Sequence, residues 1–200
     1  ENVVSETIEG FYPIFWRRVV VIIHINSVAW YVEIEGIYVP SVNPEKVTNH
    51  VRAYCKGLSE YGVIATAKHF PGAGDGAKDA HLDLPVIEAS LDRVKNFTLV
   101  PFRENIDVPA IMACHDLFKA IDPSHPSSLS YNCLTKLLRE ELGYKGLVIS
   151  DSLTMKAVVN QYGLGEAAVM GIVAGLDIAL VCHRKQDAID IITAINQAYD

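Results

Sequence analysis

Val108-Pro109-Ala110-Ile111-Met112-Ala113-Cys114-His115-Asp116 is an apolar run that ends on an imidazole and a carboxylate. The apolar part is too short for an ordinary helix and shows no polar alternation. Such a run reads as a strand buried on both faces, the kind found in parallel sheets. The same pattern recurs three times: 63–67 runs into Lys68-His69, 146–150 into Asp151-Ser152, and 177–182 into His183-Arg184. Between these runs the chain has helical spacing. Residues 45–58 carry apolar or small side chains at Val47, Val51, Tyr54, Cys55 and Leu58, after an Asn43-Pro44 start signal and before Gly62. Ser90 opens a second helix with Leu91, Val94, Leu99 and Phe102 on one face, and 131–142, 165–174 and 186–199 follow as further helices. Strand, loop and helix in regular succession imply βαβ units with right-handed crossovers.

Both an open doubly wound sheet and a β/α barrel satisfy that alternation. The polar strand ends favour the barrel, which gathers the carboxyl ends of its strands around one mouth. The expected fold is therefore α/β, a (β/α)8 TIM-barrel-like architecture. It is incomplete, with about five to six strands, mostly parallel, because 200 residues fall short of the roughly 250 that a full barrel takes. Two parts are expected. Residues 1–42 form an atypical N-terminal segment with strand-like stretches at 19–25 and 30–39, spaced as a hairpin. Residues 43–200 hold the barrel portion. The stretch Arg17-Arg18-Val19-Val20-Val21-Ile22-Ile23 has the charge and apolar run of a targeting segment, but His24 and Asn26 break it. It is far short of the ~20 apolar residues of a membrane span, so a buried strand is expected there.

Half the residues are hydrophobic and a fifth are charged, a globular balance. A net charge of −7, with 17 basic residues scattered along the chain, excludes nucleic acid and anionic membrane surfaces as expected partners. The four cysteines lie far apart with no CxxC pair, which points away from a disulfide framework or a zinc site and toward a reducing, cytoplasmic compartment.

The chemistry is concentrated in Lys68-His69-Phe70-Pro71-Gly72-Ala73-Gly74-Asp75-Gly76-Ala77-Lys78-Asp79-Ala80-His81-Leu82-Asp83-Leu84-Pro85. Asp79 and His81 are two apart, so an extended backbone puts them on one side. A carboxylate beside an imidazole fixes its tautomer and stabilises its protonated form, preparing a proton donor near neutral pH. A polar loop with a helix cap explains the same residues equally well. Asp151 has its own bland reading as the cap of a following helix. Asp116, Asp122 and Asp177 read as turn or cap residues.

This loop, KHFPG-x-GD-x-x-x-D-x-H-x-x-LP, resembles the motif of bacterial family 3 β-N-acetylglucosaminidases. Ordered downstream blocks are similar too: Pro101-Phe102-Arg103, Ile111-Met112-Ala113-Cys114-His115, Leu129-Ser130, Leu138-Arg139, Leu142-Gly143-Tyr144-Lys145-Gly146, Val148-Ile149-Ser150-Asp151-Ser152-Leu153-Thr154-Met155, and Ala174-Gly175-Leu176-Asp177. The resemblance implies retaining hydrolysis of terminal β-linked N-acetylglucosamine from cell-wall or chitin-derived fragments, by way of a glycosyl-aspartate. It implies Asp151 as nucleophile, His81 as general acid/base and Asp79 as its orienting partner. It also implies Lys68, His69 and His115 as substrate-binding residues around an N-acetylglucosamine-containing saccharide. No metal or organic cofactor is implied. The glycines at 72, 74 and 76 would let the loop open and close.

The chain departs from the family at Ala73, Gly76 and Ser152. It lacks an acidic-glutamine-glutamate-glycine-glycine segment, and Tyr38-Val39-Pro40-Ser41 stands where an arginine block is expected. Two alternatives therefore stand beside hydrolysis: a silent descendant that binds sugar or a partner, and an N-acetylglucosaminide phosphorylase. An incomplete sheet also predicts association between copies to cover its open edges.

Overall fold

The computed structural model describes residues 43–72 and 84–199, and the backbone of 20–23. Five parallel strands make the main sheet: β1 (Val20–Ile23), β2 (Thr66–Phe70), β4 (Ala110–Ala113), β6 (Leu147–Ser150) and β7 (Ile178–Val181), in the order β1-β7-β6-β4-β2. From β2 through β4 and β6 to β7 each new strand lies beside the last, with no reversal of direction. A doubly wound sheet needs such a reversal, whereas a barrel wall does not. The described sheet is thus a TIM-barrel-like arc. A second, two-stranded parallel ribbon joins β3 (Val86–Ile87) to β5 (Leu117–Phe118).

The helices form the outer layer. Helix α1 (Pro44–Glu60) starts where Asn43 Oδ1 accepts the backbone N–H groups of Glu45 and Lys46, with proline at its first position. It stops before Gly62, whose φ of 72° favours glycine. The buried amide of Asn105 donates to Thr48 O and Pro101 O, stitching α1 to the helix that follows β3. That helix is composite: an α-turn α2 (Leu91–Arg93), a π-helical stretch (Val94–Thr98) and a second α-turn α3 (Val100–Arg103). Ser90 Oγ caps it by accepting from Arg93 N. A π-helix (Asn132–Glu141) crosses from β4 to β6. Helices α4 (Lys156–Tyr162) and α5 (Leu164–Ala174) cross to β7, and α6 (Lys185–Tyr199) follows.

The two faces of the sheet are chemically distinct. Ala67, Ile111 and Val148 face the helices and belong to the main core, where Phe70 meets Phe102 edge-on with ring centroids 5.3 Å apart. One residue along, Ala110, Met112, Ile149 and Ile178 cluster on the inner face. The register places Lys68 beside Met112, Met112 beside Ile149, and Ile149 beside Ile178. Lys68 therefore shares a row with the inner-face residues. That row is one layer of the barrel interior, with an ammonium at one end.

The structure revises several sequence expectations. The first strand of the barrel portion spans Thr66–Phe70 rather than 63–67, so Lys68 and His69 lie inside it. The β3–β5 ribbon falls in stretches to which the sequence pattern assigns no element. Val20–Ile23 is a strand, as expected, but it pairs in parallel with β7. Its expected hairpin partner at 30–39 lies outside the described residues. Among the described residues no helix is long and apolar enough to cross a membrane.

Candidate active site

Three strands carry four of the six predicted site residues, Lys68 and His69 on β2, His115 after β4 and Asp151 after β6. At the end of β2, the Lys68–His69 and Phe70–Pro71 peptide bonds are cis, and the pairing with β4 slips between Lys68 and Phe70. Two residues past the β2 strand, a Cβ on Gly72 would come within 2.0 Å of Thr98 Cγ2 at a φ of 131°. Only glycine lets the loop leave the strand so close to the composite helix.

At the end of β6 stands Asp151, whose backbone N–H donates to Ala113 O across the sheet. Its Oδ1 accepts from the Ser152 N–H at 2.6 Å, and its Oδ2 lies 3.5 Å from His69 Nε2. The Asp151 side chain is 25% exposed and that of His69 is 31% exposed, so a ligand can reach both. The helix-cap reading of Asp151 does not hold. Helix α4 begins at Lys156 behind Met155, and the Asp151 carboxylate caps no helix.

His115, just past β4, is buried to 1% exposure beneath this pair. Its Nε2 lies 3.0 Å from the carbonyl oxygen of Ser152, and its Nδ1 lies 2.7 Å from Ser128 Oγ. A carbonyl oxygen only accepts, so Nε2 carries the proton and donates, while Nδ1 accepts from the Ser128 hydroxyl. Burial lowers its pKa below the usual histidine value, against the opposing pull of the Asp151 charge. The imidazole is therefore neutral.

The structure also brings in Asp116, which had read as a turn residue. Its backbone carbonyl accepts from Ser127 N and Ser127 Oγ. Its side chain is buried, and its carboxyl is raised to about 6, first by burial and then by the negative charge of Asp151. A second carboxyl thus sits within electrostatic reach of the first. The sequence signal was its place directly after His115 at a strand end. Asp122 behaves as a turn residue, accepting from Ser124 N and His125 N. Asp177 instead pins two strands and a helix at the opposite end of the sheet.

Asp79 and His81 lie outside the described residues. So of the six predicted site residues the structure brings His69, His115 and Asp151 together, and sets Lys68 on the inner face one residue before His69. A groove of about 420 Å³ lies elsewhere, lined by Asp122, His125, Tyr131 and Met170 among others, and none of the predicted site residues lines it. The cluster of His69, His115 and Asp151 lies instead at the strand ends. Among the described residues no three His, Cys, Asp or Glu side chains gather to hold a metal ion.

Residues 40–199 match the glycosyl hydrolase family 3 N terminal domain. A beta-hexosaminidase of Nitrosomonas eutropha is 33% identical over 154 residues, which covers 76% of this chain and 44% of that protein. A beta-hexosaminidase of Neisseria gonorrhoeae is 38% identical over 150 residues, covering 74% and 41% respectively. This chain thus spans less than half the length of the curated relatives it matches. Among solved structures, a glycoside hydrolase family 3 beta-N-acetylglucosaminidase from Paenibacillus superposes with a TM-score of 0.71 at 43% identity, covering 76% of this chain and 28% of the other. The beta-N-acetylglucosaminidase from Thermotoga maritima superposes with a TM-score of 0.69 at 31% identity, covering 78% and 35%.

Proposed function

This chain belongs to glycoside hydrolase family 3, and from that premise we propose that it carries the catalytic strand ends of a retaining exo-β-N-acetylglucosaminidase. The observation that carries the reading is the Asp151 carboxylate. It is partly exposed at a strand end, with one oxygen held by its neighbour's amide and the other opposite the His69 ring. A nucleophile for double displacement needs this: fixed direction, access, and no salt bridge that buries it.

In the first step Asp151 attacks the anomeric carbon. A carbon–oxygen ester bond forms as the bond to the leaving oxygen breaks, and His81 gives that oxygen its proton. In the second step His81 takes a proton from water, the water attacks the same carbon, and the Asp151 ester breaks with net retention. Asp79 orients His81, while Lys68 and His69 hold sugar hydroxyls. The substrates are cell-wall or chitin-derived fragments ending in β-linked N-acetylglucosamine, and the setting is cytoplasmic peptidoglycan recycling. Copies of the chain associate through the open sheet edges; a clean monomer in sedimentation at micromolar concentration would remove that part of the reading.

The test is release of 4-nitrophenol from its β-N-acetylglucosaminide by the chain, His81→Ala and Asp151→Ala. Turnover that both substitutions abolish supports hydrolysis. A folded chain without turnover supports the second reading, a silent descendant that binds sugar or a partner, which Tyr38-Val39-Pro40-Ser41 in place of an arginine block favours. Product carrying a sugar phosphate when phosphate is supplied would assign a phosphorylase instead.

A further inference from the structure

We propose that His115 is a positioning residue, which holds the Asp151 nucleophile in its attacking geometry and makes no contact with the sugar. The inference rests on the nucleophile assignment above and changes the part that resemblance gives to His115. Three features of its surroundings carry it.

First, at 1% exposure the ring has no face open to a ligand. Second, both ring nitrogens are engaged, Nε2–H on Ser152 O and Nδ1 by the Ser128 hydroxyl, so neither is left for a sugar hydroxyl. Third, those two bonds bridge a rigid anchor and the catalytic segment. The anchor is the 3-10 turn Ser127–Leu129, which is strapped to the residues on either side of His115. Ser128 N donates to Cys114 O, and Ser127 donates to Asp116 O from both its backbone and its hydroxyl.

The catalytic segment is equally constrained. Asp151 N is held by Ala113 O, and Ser152 O accepts from Met155 N as well as from His115. Ser152 N–H is the group that fixes Asp151 Oδ1. The Ser152 amide that aims the carboxylate lies between two fixed points, Asp151 N on Ala113 O before it and Ser152 O on His115 after it, so the hold on that carbonyl limits how far the amide can swing. A neutral imidazole suits the task, because it supplies orientation without placing another cation against the nucleophile. The lowered pKa that burial gives His115 supports that neutral form.

The experiment has two arms on the full chain. In the kinetic arm, His115→Phe keeps the ring volume and removes both polar contacts. It is expected to lower kcat by roughly a hundredfold, the cost of a misplaced catalytic group, with KM within about twofold of wild type. His115→Gln returns a donor toward Ser152 O and is expected to recover about tenfold of that loss. If His115→Phe does not fold, Ser128→Ala is read in its place, with a several-fold fall in kcat at constant KM. A rise in KM with kcat unchanged would overturn the proposal and restore His115 as a sugar contact.

In the second arm, nitrogen-15 spectra at pH 7 are expected to show a neutral ring protonated on Nε2. A ring protonated on Nδ1 alone, or on both nitrogens, would overturn it. Should the wild-type chain turn over no substrate, the hydrolase reading fails and the spectra still decide. The Ser152 amide signal shifts in His115→Phe and returns in His115→Gln if His115 positions this segment. A signal unmoved in both variants refutes that role.

Discussion

At its amino end strand β6 enters a sealed polar network, and at its carboxyl end the same strand delivers a half-open cluster of acids and imidazoles. At the amino end Asp177 Oδ2 accepts from Arg139 Nη2 at 2.5 Å and from Val148 N at 2.8 Å. Arg139 also donates to the carbonyls of Tyr144 and Gly146, and its guanidinium lies over the Tyr144 ring, 5.2 Å from the centroid. Tyr144 is buried and gives its hydroxyl to Val108 O and Leu147 O, and burial pushes its phenol well above the usual value. The pair is 9% and 10% exposed, so both charges are desolvated and both are answered. At the carboxyl end Asp151 and His69 stay accessible, and Asp116 is buried with its carboxyl raised to about 6. One end spends its charges on joining elements. The other keeps them in reach of a ligand, at a cost in stability, which is the division expected between the two faces of a β/α barrel.

The largest effect that separates the ends should come from Arg139→Ala. It strands Asp177 in a buried site, and loss of one partner of such a pair costs about 3–5 kcal/mol. Urea unfolding should show that loss, while kcat of the remaining folded fraction stays unchanged. A variant with wild-type stability would mean that this network joins nothing.

Asp116→Asn should act in the opposite direction and only over part of the pH range. The folded carboxyl titrates near 6 and the unfolded one near 3.8. The proton that favours the folded state is therefore fully in place below 3.8, and its contribution is lost as the pH rises through 6. Relative to wild type, the variant should gain stability across that window and level off above it. The gain is at most about 3 kcal/mol for a shift of this size. Parallel stability curves for the two proteins from pH 4 to pH 8 would contradict the assignment.

The smallest effect belongs to Ser150, the last residue of β6 and the neighbour of Asp151. Ser150 Oγ accepts from Leu180 N at 2.9 Å and joins β6 to β7, so Ser150→Ala should cost about 1 kcal/mol with little change in KM.

Much of this contrast was legible in the sequence at the carboxyl end and little at the amino end. Apolar runs ending on polar pairs marked the mouth, because a strand end is a local feature. The Arg139–Asp177 network spans 38 residues of chain and leaves no local pattern, so Asp177 read as a turn residue. Strand β2 starts three residues later than the apolar run 63–67 indicates, since Thr66, Lys68 and His69 break the apolar pattern within it. The crossing over Asn132–Glu141 was legible as a helix but not as a π-helix, because apolar spacing over ten residues does not separate the two pitches. Ser128 was invisible as the partner of His115, a short hydroxyl in a loop with no periodicity to betray it. Asp116 adjoins a predicted site residue but reads as a turn residue, because its coupling to Asp151 exists only once β4 and β6 are adjacent.

The central claim is that Asp151 is the nucleophile of the accessible end. The most direct measurement is incubation with a 5-fluoro-N-acetylglucosaminyl fluoride, whose glycosyl ester hydrolyses slowly, followed by peptide mass spectrometry. The account predicts one added sugar, located on Asp151 and absent from Asp151→Asn. A label on another carboxylate, Asp116 included, or no label on a chain that releases 4-nitrophenol, would contradict it.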